Sequence, residues 1–167
     1  MESDFKVTLY KYQQVDSTNA LLMQMAKEGF DCGPVVWATA QTLGRGRLGR
    51  AFSSPEGGIY ISFLLPLVGG SEGNALFLTA MAGVAVKRTI NQVCNKNCGI
   101  KWVNDIIYNG RKVCGILAQA VGDKVVMGIG INYATDMSSL PSDLQDIATS
   151  LYDKEEKASS MESFVQV

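Results

Sequence analysis

With 167 residues, 47% of them hydrophobic, the chain is long enough to bury one globular core without metal or disulfide staples. Its 15 basic and 16 acidic residues leave a net charge of −1, which argues against nucleic-acid wrapping or attachment to an acidic membrane by bulk charge. There is no histidine, Cys32, Cys94, Cys98 and Cys114 read as ordinary reduced thiols, and the Met1 segment lacks a signal-peptide run. The expectation is a soluble cytoplasmic protein.

Val, Tyr and Leu between Phe5 and Val15 predict an opening strand. The capping cluster Asp16-Ser17-Thr18-Asn19 then leads into a helix over Ala20–Glu28, stopped by Gly29. A second strand is expected over Val35–Ala40, followed by a glycine-rich segment to Gly58 that cannot be regular. Ile59–Pro66 reads as a buried strand. The longest apolar stretch, Ile59–Gly70, falls short of the ~20 residues of a membrane span. Asn74–Val93 predicts a long helix lying on a sheet. Short strands follow at Ile100–Trp102, Ile106–Tyr108, Val113–Ala120 and Val125–Ile131, with hairpin turns at Asn109-Gly110 and Val121-Gly122-Asp123. A last helix is expected over Ser142–Glu156, before a Ser/Glu-rich tail. The pattern is α+β, a two-layer domain with a mixed sheet of about six or seven strands and helices packed on it.

Four clusters could carry chemistry. In Gly44-Arg45-Gly46-Arg47-Leu48-Gly49-Arg50, glycines allow close backbone approach and arginines offer permanent planar donors, which suits a carboxylate or phosphate. The competing reading is a solvated basic loop or an RNA-touching segment, against which stand the neutral overall charge and the absence of stacking aromatics in the loop. Lys101-Trp102-Val103-Asn104-Asp105 groups a cation, an amide and a carboxylate at a strand junction, where phosphates, a nucleobase and a metal-bound pyrophosphate could be met. An ordinary surface hairpin explains it as well, and the indole reads as packing. Arg111-Lys112-Val113-Cys114-Gly115-Ile116-Leu117 sends Lys112 into a buried strand with a gap at Gly115, and Gly128-Ile129-Gly130-Ile131-Asn132 strips one strand face of side chains. Taken singly, these two are equally a hairpin start and a bulge.

In this order, and together with Ser17-Thr18-Asn19, the four clusters resemble the catalytic domain of the biotin protein ligases and related lipoate ligases, over about Phe5–Asn132. The GRGRLGR loop is similar to the biotinyl-adenylate loop of biotin ligases, and the others to that family's KWPND, KxxGIL and GxGIN motifs. Val103 stands where KWPND has proline, a change that relaxes the backbone without removing a functional group. The resemblance implies a class II synthetase-like fold and ATP-dependent, Mg²⁺-assisted activation of biotin to biotinyl-5'-AMP. The biotin would then pass to a lysine of a biotin carboxyl-carrier protein of the acetyl-CoA carboxylase type.

The resemblance also implies residue roles. Ser17, Thr18 and Gln41 would bind the ureido head of biotin, with Asn19 ordering the turn, while Gly44, Arg45, Gly46, Arg47, Lys112 and Gly115 hold the carboxylate end. Arg47, Arg50, Phe52, Lys101, Asn104, Asp105 and Asn132 would line the ATP and adenylate side, with Asp105 a Mg²⁺ contact. Lys112, Arg47 and Asp105 would be catalytic. Residues 1–133 would form the ligase core and 134–167 a truncated helical segment, with neither an N-terminal DNA-binding domain nor a C-terminal SH3-like domain; the ligand residues would all precede Ala134. Association as a homodimer is a further expectation. A lipoate or octanoyl transferase of the same fold, and a non-catalytic biotin- or nucleotide-binding module, are the alternatives.

Overall fold

The computed structural model describes residues 6–67, 72–153 and 161–165, with 72–74 by backbone only. Phe5, residues 154–156 of the expected last helix, and residues 157–160 and 166–167 of the expected tail lie outside the described residues.

The seven strands are β1 (Thr8–Val15), β2 (Pro34–Gln41), β3 (Ile59–Pro66), β4 (Gly99–Lys101), β5 (Asp105–Tyr108), β6 (Arg111–Val121) and β7 (Lys124–Ile131). They form one sheet in the order β1-β2-β3-β7-β6-β5-β4. β1 and β2 pair in parallel, and every other neighbouring pair is antiparallel. A parallel pair needs a crossover connection, supplied here by helix α1 (Thr18–Lys27). The expected α+β class and mostly antiparallel sheet are both present.

Strand alternation gives the sheet two apolar faces. On one, Leu22 and Met25 of α1 pack against Val36, Leu64 and Val126. On the other, Val86, Ile90 and Cys94 of the long helix α2 (Glu72–Cys94) join Val35, Trp37, Ile59, Ile61, Ile116, Met127 and Ile131. The helices therefore flank the sheet on both sides, which corrects the two-layer expectation. Because β2, β3 and β7 bury both faces, their apolar runs are nearly continuous and say little about which face meets which helix. Among the described residues no helix is long and apolar enough to cross a membrane.

The turns follow their chemistry. Asn109 and Gly110 have φ of 49° and 76°, the left-handed pair of a tight hairpin between β5 and β6. The β4–β5 turn contains a cis Trp102–Val103 peptide, with Val103 buried. Trp102 is 76% exposed, so the packing role expected of the indole is corrected.

The helix expected over Ser142–Glu156 is also corrected. Among the described residues of that range only Ser142–Gln145 (α3) is α-helical, and Ala148 forms a parallel bridge to Lys112. Pairing with the sheet competes here with helix propensity: Lys112 N–H donates to Ile147 O at 2.8 Å, and Thr149 N–H donates to Lys112 O at 2.8 Å. A short helix α4 (Met161–Val165) places Phe164 against Tyr133.

Candidate active site

Two hollows open on the α1 face of the sheet. Their walls share Gly46, Arg47, Phe52, Asn104 and Lys112.

The narrower one is a cleft at the start of α1. Ser17 caps the helix, its hydroxyl accepting from Ala20 N–H at 3.4 Å. The next two residues turn their polar atoms into the sheet. Thr18 N–H donates to Gln41 Oε1 at 2.8 Å, and Gln41 Nε2 donates to Ser54 Oγ at 2.8 Å. Asn19 Nδ2 donates to Gln119 Oε1 at 2.9 Å. Glycine is required opposite: a Cβ on Gly128 would lie 1.9 Å from Asn19 Oδ1. Gly115, Leu117, Ile129 and Gly130 complete the lining, so the cleft has a polar end and an apolar wall, the usual make-up of a small-molecule site.

The glycine-rich loop closes on itself at the mouth. Gly46 N–H donates to Arg50 O at 2.8 Å, and Leu48, 90% exposed, takes a left-handed φ of 57° at the tip. Phe52 turns inward from the loop. Cβ atoms built on Gly115 and Gly130 would fall 2.9 and 2.6 Å from its ring, so the two glycines form the slot that receives it. The ring separates the cleft from the wider hollow and lies 5.6 Å from Lys112 Nζ.

The wider hollow is lined by Arg47, Arg50, Phe52, Lys101, Asn104, Asp105, Lys112 and Asn132, and also by Leu140, Leu144, Asp146, Ile147 and Ala148. A continuous polar chain crosses the partition. Arg47 Nη1 donates to Asn104 Oδ1 at 3.1 Å, Asn104 Nδ2 donates to Asp105 Oδ1 at 3.1 Å, and Lys112 Nζ pairs with the same carboxylate oxygen at 2.7 Å. Three sequence clusters thus converge on one line of charge. Among the described residues no group of three or more acidic or thiol side chains could hold a metal unaided.

Of the residues singled out from sequence, Ser17, Thr18, Asn19, Gln41, Arg45, Gly46, Arg47, Phe52, Lys112 and Gly115 line the cleft, and Arg50, Lys101, Asn104, Asp105 and Asn132 line the hollow. Gly44 lines neither. It sits under the loop, where a Cβ would meet Phe52 O at 2.3 Å and Ser54 Oγ at 2.4 Å. Asn132 is buried and donates through Nδ2 to Thr149 O at 3.1 Å, so it braces the wall of the hollow. Leu140, Leu144, Asp146, Ile147 and Ala148, which follow Ala134, also line the hollow. Ser54, Tyr60, Ser62 and Gln119 were not foreseen. Tyr60 donates to Pro55 O at 2.8 Å, and burial pushes its phenol well above the ordinary value.

The sequence profile of the Biotin/lipoate A/B protein ligase family matches residues 10–136. The bifunctional ligase/repressor BirA of Bacillus spizizenii is 40% identical over 151 residues, covering 84% of this chain and 45% of that protein. The biotin–acetyl-CoA-carboxylase ligase of Mycobacterium tuberculosis is 35% identical over 145 residues, covering 84% of this chain and 53% of that protein. This chain thus spans about half the length of these relatives. Among solved structures, the biotin protein ligase of Aquifex aeolicus in complex with biotin and ATP superposes with a TM-score of 0.82 at 32% identity, covering 95% of this chain and 66% of that one. With its sheet order, its glycine slot and the match over most of its length, the chain belongs to the biotin/lipoate A/B protein ligase family.

Proposed function

We propose that this chain activates biotin with ATP as biotinyl-5'-AMP and passes the biotinyl group to a lysine of a biotin carboxyl-carrier protein, as in acetyl-CoA carboxylase. The observation that carries this reading is the partition. A cleft with a polar end and a wide cationic hollow meet at Phe52, Lys112 and Arg47, where a carboxylate from one side and an α-phosphate from the other would come together.

The chemistry needs charge stabilisation and no protein nucleophile. A biotin carboxylate oxygen attacks the α-phosphorus, the bond to the bridging oxygen breaks and pyrophosphate leaves. Lys112 and Arg47 would offset the negative charge gathered on the phosphoryl oxygens. Arg50 and Lys101 line the side on which the β- and γ-phosphates would lie. Mg²⁺ carried by ATP asks a protein for only one or two carboxylates, and Asp105 can supply one. The cation would neutralise phosphate charge there. Closure of the Gly44–Arg50 loop would shield the mixed anhydride from water. In transfer, the neutral carrier-lysine amine would attack the acyl carbon, form the amide bond and expel AMP, its released proton passing to Asp105 or to solvent, while Lys112 would offset charge on the carbonyl oxygen.

A cytoplasmic location agrees with four unpaired thiols. Exposed Leu76, Phe77, Met81 and Val84 on α2 give a homodimer an apolar face, which sedimentation would test.

The test of activation uses ATP labelled on the α-phosphate, Mg²⁺ and biotin, followed by a carrier domain. Biotin-dependent labelled adenylate and then biotinylated carrier are expected. Adenylate formed from lipoate instead, or bound biotin without adenylate, would overturn the proposal.

A further inference from the structure

Beneath the narrow cleft, on β3, Ser62 is fully buried. It lies across from Gly128 in the β3–β7 register, under the space that Gly128 leaves for Asn19. Its hydroxyl is 2.8 Å from Thr18 Oγ1 and 2.6 Å from Asn19 Oδ1. Thr18 Oγ1 is in turn 3.1 Å from Gln41 Oε1. These three oxygen–oxygen contacts have only the protons of Ser62 and Thr18 to share.

Counting protons orders the network. The Asn19 amide is oriented by its Nδ2, which donates to Gln119 Oε1 at 2.9 Å and to Leu117 O at 3.4 Å, so Oδ1 faces Ser62 and can only accept. Ser62 therefore gives its proton to Asn19, the shortest contact. Thr18 then gives its own proton across the shorter of its two contacts, to Ser62 Oγ at 2.8 Å and not to Gln41 Oε1 at 3.1 Å. In this arrangement both Thr18 and Asn19 hold one rotamer, and Thr18 Oγ1 keeps its lone pairs for the cleft.

We infer that Ser62 is a positioning residue for the polar end of the cleft: its buried hydroxyl locks Thr18 and Asn19 together so that the cleft meets an N–H-bearing ligand head with a fixed acceptor. The inference rests on the proposed biotin reading, since a ureido ring supplies such N–H groups and a dithiolane ring does not. Ser62 touches no reacting atom, so its loss bears on how well biotin is held and not on the adenylation step.

The test is Ser62→Ala in the full chain, assayed by biotin-dependent ATP–pyrophosphate exchange and by thermal melting. The biotin KM should rise about tenfold, the effect of one lost buried hydrogen bond, while kcat and the ATP KM stay within about twofold. Thr18→Val should raise the biotin KM as well, and the double variant should be no worse than Thr18→Val alone, because both act through one network. Ser62→Cys, near in volume but a weak donor, should fall between wild type and Ser62→Ala, and serves if the alanine variant melts early. An unchanged biotin KM in a folded variant, a loss confined to kcat, or multiplicative effects in the double variant would overturn the inference. Wild-type protein that binds biotin with these outcomes loses only the role of Ser62; wild-type protein without biotin-dependent exchange loses the biotin reading too.

Discussion

Lys112 Nζ and Asp105 Oδ1 pair at 2.7 Å in the wall between the cleft and the wide hollow, with both side chains partly exposed. Solvent screening at this exposure makes the pair a weak contributor to stability, so its value lies in placement. Lys112→Ala should lower biotinyl-adenylate formation by about 10²–10³-fold, the scale of one lost charge stabiliser, with the melting temperature little changed. Asp105→Asn should do less to adenylation than Lys112→Ala. Single-turnover assays with labelled ATP decide it; normal adenylate output from folded Lys112→Ala would remove Lys112 from the mechanism.

Gly130→Ala tests the slot. The added Cβ would sit 2.6 Å from Phe52 Cε1, and the ring must leave its seat. A displaced partition should reduce kcat/KM for biotin by about a hundredfold, as small misplacements at a reacting centre do. Steady-state exchange kinetics measure it, and wild-type kinetics in the variant would show that the ring does not organise the site.

Gly122→Ala is the contrasting case. Gly122 has φ of 59°, and a Cβ added there would meet nothing within 4 Å, so only backbone conformation opposes the substitution. Denaturant unfolding should show a loss of about 1 kcal/mol, with adenylation unchanged.

Stability should also fall at high pH. Burial holds the Cys114 thiol above its ordinary value of 9.0, so the folded state keeps a proton that the unfolded state gives up. Below pH 9 the contribution is fully present; above it the unfolded chain ionises first and stability declines as pH rises toward the folded value. One such group gives about 1.4 kcal/mol per pH unit in that window. Cys114→Ala should flatten the decline measured by urea unfolding between about pH 8 and about pH 10. An identical slope in the variant would assign the loss to other groups.

The sequence made much of this legible because its local signals agreed with the final packing. Ile59–Pro66 is β3 residue for residue, and Asn109-Gly110 is the hairpin turn it reads as. The glycines at 115, 128 and 130 were visible as gaps, but what fills them was not: Phe52 and Asn19 arrive from distant parts of the chain. Ser62 and Gln119 went unseen because a lone polar residue in an apolar strand has no periodicity to mark it, and its meaning appears only when α1 lies across the sheet. The Ser142–Glu156 helix failed for the opposite reason. Local propensity was present, yet main-chain pairing beside Lys112 outweighed it after Gln145.

That pairing gives the later part of the chain a hold on the earlier one. Ile147 and Thr149 grip the two main-chain groups of Lys112, while Asp105 holds its ammonium, so the residue is tethered at both ends of its side chain by segments far apart in sequence. Residues 147–149 therefore share in fixing where the main chain of Lys112 lies, at the meeting point of the two hollows.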